Sequence, residues 1–348
     1  MKLRSIALGL GVGLSPCCMA AAPALPAVAA DGSAVTVSGI SSGGYMAVQF
    51  QVAYSKLVKG AGIVAAGPYD CADGSALRAL TNCMAPTSWT PPPKPAEIKP
   101  RMESRARLGL IDPPAALADD RVWVLTGGAD HTVERPVVES LVAFYKEWMP
   151  AAAIRFVTLP NAGHAMISVS DGKPNACATS EPPFINRCGD FDAPGELLGH
   201  LLGNLNPKKT PEPASLRTFN QRPFIAGLPA DIGMGDEGFA YVPASCRSGG
   251  CRVHVAFHGC LQSEDQVGRR FVEGAGYNAW AEANRIVVLY PQTIARSGWA
   301  PGSMRWVYNP KGCWDWWGYS AMDYATRNAP QMAAVRKMIA RLAETPAQ

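Results

Sequence analysis

The stretch Val35-Thr36-Val37-Ser38-Gly39-Ile40-Ser41-Ser42-Gly43-Gly44-Tyr45-Met46 decides the fold. Its β-branched opening predicts a strand, Gly39 to Gly44 a sharp turn, and Tyr45 to about Val58 a helix. Ser41 stands at the apex with glycine two residues before and two after. A serine held at a strained backbone angle, where strand and helix cross closely, leaves no room for side chains at those two positions. The arrangement exposes a nucleophilic hydroxyl. A Gly-Ser turn without chemistry is the competing reading.

Outward from this turn, strands and helices alternate. Gly62 to Ala66 is a short apolar run expected as a buried strand. Cys71 to Pro114 is proline-rich and predicts a surface excursion, with helix near Lys99 to Leu110. Arg121 to Thr126 and Ile154 to Leu159 read as further strands, with a helix from Arg135 to Trp148 between them. Ser168 to Pro213 is loop-rich, with a helix near Glu196 to Leu205. Beyond the proline-rich 207–213 stretch come strands at Gly238–Val242, Arg252–Phe257 and Arg285–Tyr290. Helices are expected at Tyr277–Asn284 and Pro330–Leu342. These strands are apolar enough to need cover on both faces. One continuous, mostly parallel α/β sheet shared by both halves is therefore expected, not two domains cut at 207–213.

Composition narrows the class. The 348 residues are 48% hydrophobic and 17% charged, which describes a chain with a large core. The net charge of +4 is small and dispersed, so no nucleic-acid partner is expected. Lys2 and Arg4, the apolar Ser5–Leu14 and the small residues of 20–30 read as a signal peptide over 1–30, cleaved at about 20–30. That places a single catalytic domain at 31–348, secreted (extracellular or periplasmic), with no membrane helix. Proline at 16 argues against lipidation at Cys17. Eight further cysteines stand at 71, 83, 177, 188, 246, 251, 260 and 313, an even number that reads as disulfides in an exported chain. Neighbour pairing gives Cys71–Cys83, Cys177–Cys188 and Cys246–Cys251 and leaves Cys260 with Cys313, although eight cysteines allow roughly a hundred connectivities. Without a C-x-x-C pair or histidine cluster, no metal is expected.

Hydrolysis by serine needs a base, an acid to orient it, and amide donors for the oxyanion. Asp130 follows the Arg121 strand in Gly127-Gly128-Ala129-Asp130, and His164 follows the Ile154 strand in Asn161-Ala162-Gly163-His164. In a parallel sheet these lie with Ser41 at the carboxyl edge, where ligands gather. The order Ser, Asp, His is that of an α/β-hydrolase. His131 is a rival base, but it abuts the candidate acid and leaves no separate orienter. The oxyanion donors are expected from the amide of Ser42 and from the His258-Gly259-Cys260 segment. An apolar strand ending in His-Gly normally precedes the nucleophile; here it follows by more than two hundred residues. The strands at 238–290 look like the opening strands of a hydrolase moved behind the histidine, which is a circular permutation. That His258 merely caps a core strand is the plainer reading. Trp314, Trp316 and Trp317 crowd around Asp315 and read either as core or as an apolar wall for an acyl group, held to the oxyanion loop by a Cys260–Cys313 bond.

Gly39 to Phe50, Gly128-Ala129-Asp130 with Thr132-Val133, Asn161 to His164, His258-Gly259-Cys260 and Cys313 to Trp317 together resemble the single-domain poly(3-hydroxybutyrate) depolymerases. The resemblance implies a circularly permuted α/β-hydrolase with Ser41 as nucleophile, His164 as base, Asp130 as orienter, and Ser42 and Cys260 amides as oxyanion donors. It implies that a tryptophan of 314–317, with Trp316 and Trp317 preferred, lines the hydroxybutyrate subsite. The implied activity is a serine esterase cleaving the polyester or its oligomers through an acyl-enzyme. No cofactor is needed, no nucleic-acid or membrane partner is implied, a monomer is expected, and no separate polymer-binding domain is visible. Two alternatives are a feruloyl or acetyl-xylan type esterase, and a non-catalytic polymer-binding protein that keeps the fold.

Overall fold

Strand β1 (Asp31–Ile40) lies at the centre of an eight-stranded sheet because its apolar residues find partners on both sides. The computed structural model of the chain describes residues 22–170 and 172–346. After β1 come α1 (Ser42–Ala53), β2 (Val58–Val64), α2 (Ala76–Leu80), α3 (Pro95–Arg107), β3 (Arg121–Gly127), α4 (Arg135–Lys146) and β4 (Ile154–Leu159). A small sheet of β5 (Met166–Ile167), β6 (Asn175–Ala176) and β7 (Ile185–Arg187) follows, then α5 (Ala193–Leu202). The second half holds β8 (Leu216–Asn220), β9 (Glu237–Tyr241), β10 (Arg252–Phe257), α6 (Glu264–Val267), α7 (Arg270–Gly274), α8 (Tyr277–Asn284) and β11 (Ile286–Tyr290). A hairpin of β12 (Arg296–Gly298) and β13 (Val307–Asn309) precedes the closing helix α9 (Pro330–Ala343).

Across the main sheet the order is β4-β3-β2-β1-β10-β11-β9-β8, so both halves of the chain share one sheet. β1 pairs in parallel with β2 and β10, and β9 is antiparallel to both its neighbours. Side-chain alternation divides the faces. Thr36 and Ser38 of β1 and His254 of β10 face α8: the His254 nitrogens lie 2.8 Å from Thr36 Oγ1 and 2.7 Å from Ser38 Oγ, and Ser38 Oγ meets Tyr277 OH at 2.7 Å. Burial pushes the His254 pKa down to about 3, so this core polar group stays uncharged. On the opposite face α1 lies flat, with Phe50 against Phe257. All twelve residues of α1 are buried.

The chain ends explain the strand order. Val28 and Ala30 amides donate to Leu342 O at 3.2 and 3.0 Å, and Ala29 N donates to Glu344 O at 2.8 Å. The end of α9 therefore delivers the chain to the start of β1, where an unpermuted hydrolase would run straight through.

Several expectations are corrected. The expected leader core Ser5–Leu14 lies outside the described residues. Residues 23–30 are part of the fold: Pro23 O accepts from Asn220 N at 2.8 Å, Leu25 O accepts from Arg341 Nε at 3.1 Å, and Leu25 and Val28 are buried. Cleavage at the late end of the expected 20–30 range would remove these contacts. Helix α1 stops at Ala53, and Val58, expected to end it, instead opens β2 after a turn closed by Leu57 N to Tyr54 O at 2.9 Å. Strand β2 ends at Val64, not Ala66, because Ala65 turns to φ 50°. Strand β8 was not anticipated.

A permutant that joins Pro346 to Pro23 through a flexible glycine-serine linker, keeping the contacts of residues 23–30, and opens between Thr210 and Pro211 is expected to fold with a melting temperature near that of the natural chain. Failure to fold would show that the present chain order is needed. A second prediction concerns Asp120. Gln51 Nε2 donates to its Oδ2 at 3.0 Å, Tyr145 OH donates to Gln51 Oε1 at 2.8 Å, and its Oδ1 has no partner among the described residues. Burial pushes its pKa up to about 7, partly offset by Gln51 and Lys59. The folded state thus keeps a proton that the unfolded chain loses near pH 4, and this stabilising contribution fades as pH rises from about 4 to 7. The melting temperature of Asp120→Asn is expected to fall less across that window than that of the natural protein. Parallel curves would remove Asp120 as the cause.

Candidate active site

Ser41 sits at φ 55° and ψ −125°, between β1 and α1, in the half of backbone space that side chains avoid. The turn is held by Ser41 N donating to Val64 O at 3.0 Å and Tyr45 N donating to Ser41 O at 3.0 Å. A Cβ at Gly39 would lie 2.1 Å from Gly43 O, and one at Gly43 would lie 2.3 Å from the carbonyl oxygens of both Phe257 and His258. Both glycines are therefore required by close approach of backbone to backbone. Ser41 itself is half-buried and reachable.

Asp130 and His164 meet at the same sheet edge. Gly128 N donates to Leu159 O at 2.8 Å and Ala129 N to Ala162 O at 3.0 Å, so the loops after β3 and β4 interlock. Asp130 Oδ2 accepts from His164 Nδ1 at 2.8 Å, while its Oδ1 accepts from the amides of Thr132 and Val133 at 2.8 and 3.0 Å. The side chains of Asp130 and His164 are 1% and 6% exposed, respectively. An ionised carboxylate only accepts, so Nδ1 carries the hydrogen and Nε2 is left as the basic nitrogen. His131, the rival base, is exposed. The loop closed by Cys177–Cys188 cradles His164: Gly163 N donates to Cys177 O at 2.9 Å, His164 N to Ser180 Oγ at 2.8 Å, and Phe184 sets its ring edge-on to the imidazole.

The segment after β10 closes the site. A Cβ on Gly259 would lie 3.3 Å from Ser41 Cβ, so this loop rests against the serine. Gln262, fully buried, accepts from Gly259 N at 2.7 Å and donates through Nε2 to Pro183 O and Phe184 O at 2.8 and 3.0 Å. It ties the loop beside Ser41 to the loop beside His164. The amides of Ser42 and Cys260 donate to no group among the described residues. Gln262 and Ser180 carried no sequence signal, because their partners are backbone atoms far away along the chain.

The cysteines pair as 71–83, 177–188, 246–251 and 260–313. The last closes a span of 53 residues and by chain entropy limits the unfolded state by about 4 kcal/mol. It brings the tryptophan segment to the loop after β10. Trp314 is wholly enclosed, packed on Phe257 and His258, and its amide donates to Ser42 Oγ at 3.3 Å. It is a packing residue with no face for a ligand, contrary to its inclusion in the expected wall. Asp315 is also buried. Its carboxylate accepts from the amides of Gly318, Tyr319 and Ser320 at 2.7, 3.0 and 2.8 Å, which bends the following loop around it. That bend stacks Trp316 on Tyr45 at 4.1 Å and 8°, one helical turn from Ser41, and sets Trp317 edge-on to Trp316 with part of its ring exposed. Among the described residues no cluster of metal-ligating side chains occurs, and no helix is long and apolar enough to cross a membrane.

No known family profile matches the chain. A poly(3-hydroxybutyrate) depolymerase of Delftia acidovorans is 40% identical over 331 residues, which are 92% of this chain and 62% of that protein. The chain thus spans about three fifths of that relative's length. A polyhydroxybutyrate depolymerase of Talaromyces funiculosus is 37% identical over 90% of this chain and 91% of its own length. Among solved structures, the PHB depolymerase from Penicillium funiculosum superposes with a TM-score of 0.79, at 33% identity, covering 92% of this chain and 98% of that one. A serine-to-alanine variant of a PHB depolymerase, complexed with an R3HB trimer, superposes over the same shares at 0.80 and 33% identity. On this likeness across sequence and fold, the chain belongs to the poly(3-hydroxybutyrate) depolymerase family of α/β-hydrolase-type ester hydrolases.

Proposed function

We propose that the protein hydrolyses poly(3-hydroxybutyrate) or its oligomers through an acyl-enzyme. The single observation that carries this reading is the interlocked Asp130–His164 pair at the sheet edge that also holds the strained Ser41. Ser41 attacks the ester carbonyl while His164 Nε2 takes its proton. Asp130 keeps the imidazole in the right tautomer and stabilises its charge. The amides of Ser42 and Cys260 receive the oxyanion. His164 then protonates the leaving alcohol, and water repeats the sequence to release the acid. Trp316 and Trp317 form the apolar wall beside the acyl group. An R3HB trimer bound by a related depolymerase supports the substrate class.

Contact with solid polymer falls to exposed apolar side chains. Leu77, Leu80 and Trp89 stand 71%, 62% and 92% exposed on the excursion anchored by Tyr45 OH donating to Cys83 O. Trp299, Met304, Trp306 and Tyr308 stand exposed on and around the β12–β13 hairpin, which Arg305 ties to the tryptophan loop through Ser320 O at 2.7 Å. Apolar groups shown to water in such number mark a surface for another apolar body. The basic start at Lys2 and Arg4 and the disulfides support export, with cleavage before Pro23. The single continuous sheet supports one catalytic domain.

Clearing of a polymer emulsion by culture medium is expected, and Ser41→Ala is expected to lose it by at least about a thousandfold. Undiminished clearing by that variant would sink the assignment. Replacing both Trp89 and Trp306 by serine is expected to slow film degradation several-fold more than trimer hydrolysis. Equal losses on film and trimer would rule out an adsorption role.

A further inference from the structure

His258 and His254 are buried histidines that the triad does not use, and of the two His258 lies in the segment beside Ser41. Its Nδ1 lies 2.7 Å from Gly259 O, and its Nε2 lies 3.2 Å from Thr293 N. A carbonyl oxygen only accepts and an amide nitrogen only donates, so the ring is neutral with its hydrogen on Nδ1. Thr293 Oγ1, 3.3 Å from Nε2, spends its own hydrogen on Gly312 O at 2.6 Å and leaves that tautomer unopposed. The ring is wedged between Trp314 and Phe271 and is wholly buried.

Gly259 O and Cys260 N–H belong to one peptide unit. In a trans peptide the carbonyl and the N–H point in opposite directions. Drawing Gly259 O toward His258 therefore turns the Cys260 N–H away from it. Gln262 holds Gly259 N at 2.7 Å, so the plane that precedes is fixed as well. Glycine at 259 makes such fixing necessary, because its backbone has the widest choice of angles. We infer that His258 is a positioning residue that aims the Cys260 amide at the oxyanion by holding the Gly259 carbonyl. This inference rests on the oxyanion role proposed above for Cys260. His258 touches no reacting atom. Its contribution is to fix, before substrate arrives, a donor that would otherwise have to be oriented during the reaction.

The test compares three replacements on a soluble hydroxybutyrate trimer. In His258→Asn the side-chain amide nitrogen falls where Nδ1 stood and can donate to Gly259 O. In His258→Gln it reaches the Nε2 position instead, and in His258→Leu there is no donor. Asparagine is expected to keep kcat within about tenfold of the natural enzyme. Glutamine and leucine are expected to lose about a hundredfold or more in kcat, with KM changed little, as on removal of one oxyanion donor. Affinity for a trifluoromethyl ketone analogue, which forms the tetrahedral adduct, should fall in step with kcat. If leucine prevents folding, the asparagine–glutamine pair decides. Equal kcat for these two overturns the inference.

A second pair separates this outcome from failure of the oxyanion assignment. Cys260→Pro and Cys260→Ala, each made with Cys313→Ala, both lack the disulfide, but only proline removes the amide hydrogen. Equal activity of that pair overturns the Cys260 role and the inference with it. An inactive proline variant beside an active alanine variant upholds the donor. Equal asparagine and glutamine variants would then overturn His258 alone.

Discussion

The structure depends on one meeting of backbones: Gly43, at the start of α1, lies directly on the carbonyls of Phe257 and His258, with space for hydrogen only. Strand pairing between β1 and β10 brings the two segments together, and the absence of a Cβ lets them touch. Everything the site needs follows from that contact. It sets Gly259 beside Ser41, leaves the Ser42 and Cys260 amides without acceptors among the described residues, and puts the Trp314 ring against Phe257. A positive φ at Ser41 costs on the order of 1–3 kcal/mol, and the surrounding parallel strands are what sustain it.

The remaining parts are fastened to this meeting by polar groups buried in pairs. Asp130 spends one oxygen on its own loop and the other on His164, so both side chains are held in place. Asp315 does the same for the tryptophan loop, with amide donors offsetting the cost of a buried carboxylate; burial nevertheless leaves its pKa raised. At the foot of the disulfide-closed excursion, buried Asp70 accepts from Arg101 and Tyr324 and pairs with Arg105 at 2.8 Å, which anchors that excursion to the C-terminal segment. Asp130 and Asp315 each fix the backbone of their own loop, and Asp130 and Asp70 also hold side chains from distant parts of the chain.

Much of this was legible in the sequence. The elbow, the strands carrying Asp130 and His164, and the displaced β9–β11 set follow from short apolar runs ended by glycine or proline, and the turn geometry confines Gly39 and Gly43 to glycine. Other features were hidden for physical reasons. Strand β8 is a half-exposed edge strand with mixed polarity beside a proline-rich stretch, so periodicity does not separate it from loop. Tyr54 to Leu57 reads as helix by composition and folds as a turn, because Val58 is claimed by the sheet. Trp314 and Trp316 are the same residue type two positions apart. Only the bend around Asp315 sends one beneath the turn and the other onto Tyr45. Gln262 and His258 act on backbone atoms, and no side-chain pattern announces that.

The adjoining ends have a consequence for how the molecule comes into being. Synthesis proceeds from the N-terminus, so the ribosome releases the serine turn, Asp130 and His164 well before the strand that lies beside β1. During that interval β1 presents an open edge at what will become the middle of the sheet, and the turn lacks the carbonyls it will rest upon. An unpermuted chain makes its oxyanion strand first and adds the nucleophile to a waiting template. Here the serine turn waits, and the sheet is completed by addition of the late strands at the open edge of β1. The nascent polypeptide thus carries Ser41, Asp130 and His164 before the segment of Gly259 and Cys260 has been translated.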